Sequence, residues 1–291
     1  MPNPREIRRR VRSVKNMAQI TRAMEMVAAS KMRRAQDRVT SGRPYSEKLR
    51  EVLGDLSSLQ LDNAELEEFP LLAQREVKKT ALILITPDRG LAGALNSNIL
   101  RRTVQYVRNE SVDGHPQVIA VGKKGRDFAA RTNQNLVAEF IRLGDRPALD
   151  DVRPIAQVAI KEFLDGNVDA VHIVYSQFVN TLTQQPTLLQ LLPIERPEGS
   201  SDQADDYIFE PNEKEVLNQL LPRYVEVNLY QAVLENIASF YSAQMVAMRN
   251  ATDNAKELSD DLSLALNKAR QAQITNEVAE IAAGANAFRV E

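Results

Sequence analysis

The sequence predicts a mixed α and β chain in which long helices at the two ends pair as a coiled coil, with a compact α/β domain inserted between them. Three observations carry this. Neither Gly nor Pro interrupts Glu6–Ser41, neither interrupts Arg223–Ala283, and the stretch between alternates short β-rich runs with helical ones. Composition places the helical N-terminal region at 1–70, the α/β domain at 76–197 and the C-terminal helix at 207–291.

The first uninterrupted stretch is about 36 residues, roughly 54 Å of helix at about 1.5 Å per residue. Stepping by three and four from Ile7 meets Val11, Val14, Ala18, Thr21, Glu25, Ala28, Met32, Ala35 and Val39, a narrow stripe with Glu25 as its defect. Beside it runs a second apolar strip, Met17, Ile20, Met24 and Val27. Helix signal continues past Pro44 and fades in the polar segment that ends at Pro70.

The C-terminal stretch is about 61 residues, roughly 92 Å if helical throughout. Its expected seam runs Val227, Tyr230, Leu234, Ile237, Tyr241, Gln244, Met248, Ala251, Ala255, Leu258, Leu262, Ala265, Ala269 and Ala272. A pattern this long without caps signals a coiled coil, and its small residues let two helices approach closely. Each terminal helix is the simplest partner for the other, and periodicity leaves their relative direction open.

Between them, TALILIT (Thr80–Thr86), QVIAV (Gln117–Val121) and DAVHIVYS (Asp169–Ser176) read as strands. LVAEFI (Leu136–Ile141) and TLLQLLP (Thr187–Pro193) are further strands, with helices near Ser97–Arg108, Arg126–Arg131 and Val152–Leu164. Such alternation predicts a parallel sheet covered on both faces.

Net charge is −2, but Met1–Arg43 carries ten Arg and two Lys against Glu6, Glu25 and Asp37, whereas Asp202–Glu215 is largely acidic. Segments of opposite sign suggest charged partners or pairing within the chain. The absence of cysteine excludes disulfides, thiol nucleophiles and thiolate metal sites. MPNPREIRRR lacks the apolar core of a signal peptide, and no run of about 18 apolar residues is present, so the chain is expected to stay on the side of the membrane where it is made.

No catalytic, cofactor or metal set emerges. TPDRGLAG (Thr86–Gly93) follows a strand and leads into a helix, yet it is not GxGxxG, and a tight turn needs Gly in any case. GKKGRD (Gly122–Asp127) lacks P-loop spacing and reads as a turn with solvated lysines. His115 lies in a turn, His172 is expected to be structural within an apolar strand, and Asp150–Asp151 is expected to cap the next helix. An Arg-rich coiled coil could instead bind nucleic acid. Against that alternative, Met1–Pro44 has no aromatic residue and its basic side chains are scattered around the helix. A stiff helix presenting Met and Ala suits sliding protein contacts better, because Met adapts to changing partners.

Three stretches resemble the γ subunit of F-type ATP synthases: EIRRRVRSVKNMAQITRAMEMVAASKMRRAQ, TPDRGLAGALN, and the long run ENIASFYSAQMVAMRNATDNAKELSDDLSLALNKARQAQITNEVAEIAAGA. The resemblance covers essentially the whole chain. It implies an antiparallel coiled coil inserted into a hexamer of alternating α and β subunits, with a Rossmann-like α/β domain that stands with the ε subunit on a membrane ring of c subunits. The implied role is a rotor without catalytic residues or cofactor, coupling ring rotation to conformational cycling at the β subunits. The partners implied are α, β, ε and the c ring, with no nucleic acid and no homo-oligomer. The implied location is peripheral, on the cytoplasmic side of a bacterial membrane.

By the same resemblance, Met24 and the RQAxITxE residues Arg270, Gln271, Thr275 and Glu277 contact β, while Tyr207 and Glu210 in DYIFEP face ε and the c ring. The chain departs from its relatives in places. Ala92 stands where a Cys is common, Gln244 where an Arg is common, and Phe240-Tyr241 replaces a Glu-His pair, which is expected to make that end of the coiled coil more apolar.

Overall fold

The computed structural model describes residues 3–58, 68–112, 114–195 and 212–287. Its order is helix α1 (Pro4–Ser58), a 3-10 turn (Pro70–Leu72), β1 (Thr80–Ile85), α2 (Leu95–Asn109), β2 (Gln117–Val121), α3 (Lys123–Arg131), β3 (Asn135–Phe140), α4 (Leu149–Leu164), β4 (Ala170–Phe178), β5 (Gln184–Leu192) and α5 (Glu213–Ala287). The chain divides into two compact units, Met1–Val27 with Met245–Glu291, and Ala28–Gln244.

Both long helices have built starts. The Asn3 side-chain oxygen accepts the Arg5 N–H at 3.0 Å, with Pro4 at the first helical position where its missing N–H costs nothing. The Asn212 side chain accepts the Glu215 N–H at 2.8 Å. From there α5 runs through Pro222, so the helix begins ten residues before the expected Arg223. Leu217 and Leu221 explain this, because both are buried in the main core, and that packing outweighs the break proline otherwise imposes.

In the smaller unit the two helices run antiparallel. Thr21 meets Thr252, and Glu25 meets Arg249 at 2.9 Å, so the partner number falls as the residue number rises. Glu25 is therefore no defect in the stripe but an ion pair at its edge. The α5 seam differs by one residue from expectation at alternate steps. Met245, Thr252 and Ser259 are buried where Gln244, Ala251 and Leu258 were expected, and Leu258 is 50% exposed. Two of these three buried positions are held by small hydroxyl side chains, Thr252 and Ser259.

In the larger unit the sheet order is β3-β2-β1-β4-β5. β1 pairs in parallel with β2 and β4, β2 in parallel with β3, and β5 antiparallel with β4. The expected all-parallel sheet is corrected at β5. Only Val179–Thr183 joins β4 to β5, too short for the crossover that a parallel neighbour needs. Side chains alternate between the faces. Ala81, Ile83, Ile85, Ile119, Ile173 and Tyr175 pack in one core with α4 and with Leu49, Leu53, Leu221, Val225 and Val233 of the long helices. On the other face, Tyr106 of α2 hydrogen-bonds His172 of β4 at 3.0 Å. Fully burying each such Leu or Ile stabilises the fold by about 1.5–3 kcal/mol.

Candidate partner-binding surfaces

The crevice where a Rossmann-like sheet receives a ligand lies beyond the C-terminal ends of the strands, where strand order reverses. Here that point falls between β1 and β4, and α5 occupies it. The Asn236 side chain accepts the Ser176 N–H at 3.2 Å, Ser239 donates to the Ser176 carbonyl at 2.9 Å, and Ser242 donates to the Thr181 carbonyl at 2.6 Å. Ile237, Phe240 and Tyr241 line what remains, a cleft of about 80 Å³.

The neighbouring loops are closed by their own polar groups. Thr86 Oγ1 accepts the Gly125 N–H at 2.7 Å, and the Asp88 carboxylate accepts the N–H groups of Lys123 at 2.8 Å and Arg142 at 3.1 Å. GKKGRD is therefore the first turn of α3 rather than a free turn. The anion-binding N-terminus of that helix already holds a carboxylate from the chain itself. Gly122, at φ +91°, is required here, because an added Cβ would stand 1.9 Å from the Thr86 carbonyl oxygen. Asp151 meets its expectation by accepting the Ala148 N–H at 2.7 Å, while Asp150 pairs with Arg153 at 2.9 Å. Burial holds the His172 pKa below its ordinary value, against the opposing charge of Glu110.

A polar joint ties the long helices to the loop after β3. The Lys31 ammonium on α1 pairs with the Asp145 carboxylate, lies 3.4 Å from the Tyr241 hydroxyl and stands 5.3 Å from the centre of that ring. Burial raises the Asp145 pKa, but hydrogen bonds from Lys31 and Tyr241 and the charges of Lys31 and Arg89 outweigh it and bring it below the ordinary value. Burial, then the hydrogen bond and charge of Asp145, push the Tyr241 phenol upward. The Phe240-Tyr241 pair was expected to make that end of the coiled coil more apolar. Both side chains are buried, and the Tyr241 hydroxyl in addition joins this polar joint.

The smaller unit presents apolar side chains outward. On α1, Met17, Ile20, Met26 and Val27 are each more than half exposed, and Met24 is half-buried. On α5, Leu264, Ile274, Val278 and Ile281 are exposed as well. The Thr21–Thr252 register, carried along, would bring Pro4 level with about residue 269 (21 + 252 − 4). Arg270, Gln271, Thr275 and Glu277 lie past that point and are all exposed. Thr275 donates to the Gln271 carbonyl at 2.9 Å, and Glu277 accepts from Gln273 at 2.8 Å, both within the helix. Tyr207 and Glu210 lie outside the described residues.

Sequence reading missed the Lys31–Asp145–Tyr241 joint and the Asn236 clasp. A signal for the second exists in the polar spacing Asn236, Ser239, Ser242 within an apolar run. Among the described residues no group of three or more His, Cys, Asp or Glu side chains is placed to hold a metal, and no helix is long and apolar enough to cross a membrane.

These features define a class: an antiparallel helical pair with an outward apolar surface, and an inserted Rossmann-like sheet whose crevice is filled from its own helix. The ATP synthase family model matches residues 3–288. The chain is 58% identical over 290 residues to the ATP synthase gamma chain of Roseiflexus castenholzii, and 54% identical over 290 residues to that of Chloroflexus aurantiacus, with 99% of each chain covered in both comparisons. Among solved structures, it is similar to a central stalk and c-ring chain of the Tetrahymena thermophila mitochondrial ATP synthase, at TM-score 0.60 and 25% identity, over 80% of this chain and 99% of that one. It shares the fold of a chain in the Euglena gracilis mitochondrial ATP synthase at TM-score 0.68 and 21% identity, over 98% of this chain and 94% of that one. The chain belongs to the ATP synthase gamma-chain family. These relatives lend no support to the nucleic-acid alternative.

Proposed function

We propose that this chain is the central rotor shaft of an F-type ATP synthase and has no catalytic group or cofactor of its own. Its helical pair turns inside a hexamer of α and β subunits, and its α/β domain stands with ε on the c ring. The complex holds it peripherally on the cytoplasmic side of the membrane. The working division is into the helical regions 1–70 and 207–291 and the α/β domain 76–197.

The observation that carries this reading is the outward apolar surface of the helical pair. Met17, Ile20 and Val27 lie 54–56% exposed along one strip of a helix whose other face is already packed. Monomeric proteins rarely leave such side chains clustered in water, and Met in particular tolerates a changing partner. A hexamer whose subunits pass the shaft in turn is such a partner. From their family motifs, Met24 is assigned to the β lever and Arg270, Gln271, Thr275 and Glu277 to the β catch, and the exposure of the latter four leaves them free for such a contact. Tyr207 and Glu210 are assigned to ε and the c ring from their motif. Catalysis then takes place on β through forced conformational change, which a remote shaft drives by contact alone.

The test is co-expression with the α and β subunits of the same source, followed by ATP hydrolysis with and without this chain. One copy per three α and three β, with turnover that depends on the chain and weakens on Arg270→Ala with Gln271→Ala, is the expected result. A chain that stays free while turnover is indifferent to it would overturn the reading.

A further inference from the structure

Beside the polar joint lies a second cavity, of about 140 Å³, whose walls include Lys31, Arg34 and Arg38 of α1, Asp145 and Arg146 of the loop after β3, and Tyr241 of α5. Four cations and one carboxylate give these walls a net charge of +3 (4 − 1). Lys31 is matched by Asp145. Arg34 hydrogen-bonds only within its own helix, to Ser30, and among the described residues neither Arg34, Arg38 nor Arg146 has a carboxylate partner. Arg34 and Arg146 are exposed and Arg38 is half-buried, so water screens part of their repulsion, but like charges gathered on one concave surface still focus a positive potential that draws an anion.

We propose that this cavity is a binding site for a phosphate group. A phosphate group carries about two negative charges near neutral pH and three oxygens able to accept from several donors at once. Guanidinium forks match that geometry, and a compact ammonium adds a point charge. A single side-chain carboxylate brings one charge and leaves most of the excess uncompensated. The adjoining cleft is about 80 Å³, too small to seat a nucleoside beside the phosphates, so the site reads the phosphate and not the base. The group can come from the free ion or from the phosphate chain of a nucleotide. The proposal is independent of the rotor reading, since it rests on the larger unit alone.

Calorimetric titration of the full-length chain at low ionic strength tests it, with inorganic phosphate, pyrophosphate, ATP, adenosine and hexaglutamate as probes. The expected result is saturable binding of one pyrophosphate per chain, weakening as salt rises, with adenosine silent. Inorganic phosphate binding at the same stoichiometry identifies the free ion as a source, and ATP matching pyrophosphate identifies the nucleotide chain. Arg38→Gln with Arg146→Gln should weaken pyrophosphate by about 10-fold or more, and Arg38→Lys with Arg146→Lys by less, since charge survives without the fork. An unchanged thermal midpoint in both variants shows that they fold. Absence of saturable phosphate or pyrophosphate binding, an affinity unmoved in the Gln variant, or hexaglutamate binding tighter than pyrophosphate would overturn it.

Discussion

Thr21 of α1 and Thr252 of α5 meet hydroxyl to hydroxyl at 2.7 Å, both buried, inside the seam of the antiparallel pair. A buried polar contact between the helices favours this register, because sliding either helix would separate the two hydroxyls. Each hydroxyl also reaches a carbonyl of its own helix, Thr252 to Met248 at 2.8 Å and Thr21 to Met17 at 3.1 Å. Thr21→Val or Thr252→Val alone should cost about 1 kcal/mol, and the double substitution less than the sum of the two. Urea unfolding of the four chains closes the cycle, and strict additivity would mean that the contact does not couple the helices.

The Asn236 clasp predicts a larger effect. Asn236→Ala removes the acceptor for the buried Ser176 N–H and opens space at the switch point of the sheet. The expected loss is about 1–3 kcal/mol, read by chemical denaturation. Asn236→Asp keeps the acceptor and should retain more stability than the alanine.

At Gly122 the constraint is steric. Gly122→Ala places a Cβ 1.9 Å from the Thr86 carbonyl oxygen at a backbone φ of +91°. The junction of β2 with α3 cannot relax without breaking the Thr86 hydrogen bonds to Val121 and Gly125. A loss above about 3 kcal/mol, or failure to recover soluble protein, is expected.

The acid response follows from carboxylates held below their ordinary pKa. Asp145 lies low for the reasons given above, Asp169 because it accepts the Lys78 and Lys79 N–H groups, and Glu110 because Arg102 hydrogen-bonds it. A depressed carboxylate stabilises the fold above its unfolded pKa, and that contribution is lost as pH falls through the folded value. His172, held low by burial, acts in the same direction below its ordinary 6.5. The thermal midpoint should therefore fall as pH is lowered from about 6 toward 3. Asp145→Asn with Asp169→Asn should lower the midpoint at neutral pH and flatten this slope. An unaltered slope would contradict the assignment.

Much of the architecture was legible because it is periodic. Ile7, Thr21, Ala28, Met32, Ala35 and Val39, placed by three-and-four stepping, are all buried, and the five apolar runs became the five strands. What escaped depends on partners far along the chain. The α5 seam moved by one residue at alternate steps because stepping by three and four passes equally well through Leu258 or Ser259, and local spacing does not choose between them. The direction of β5 rested on a five-residue connection whose shortness is plain only once both strand ends are known. Lys31, Asp145 and Tyr241 lie 114 and 210 positions apart in pairs that no short motif can announce. The residues proposed to contact β were named through family resemblance alone, since an exposed Arg or Gln on a helix carries no pattern of its own.

The most direct test of the rotor account uses the absence of cysteine. Leu182, 79% exposed between β4 and β5, is replaced by Cys and labelled with a bead, and the assembled α–β hexamer is fixed to a surface. On addition of ATP, the account predicts that the bead turns continuously in one direction, with three dwell positions per revolution, one for each β subunit. A complex that hydrolyses ATP while the bead stays still, or wanders equally in both directions, would contradict it.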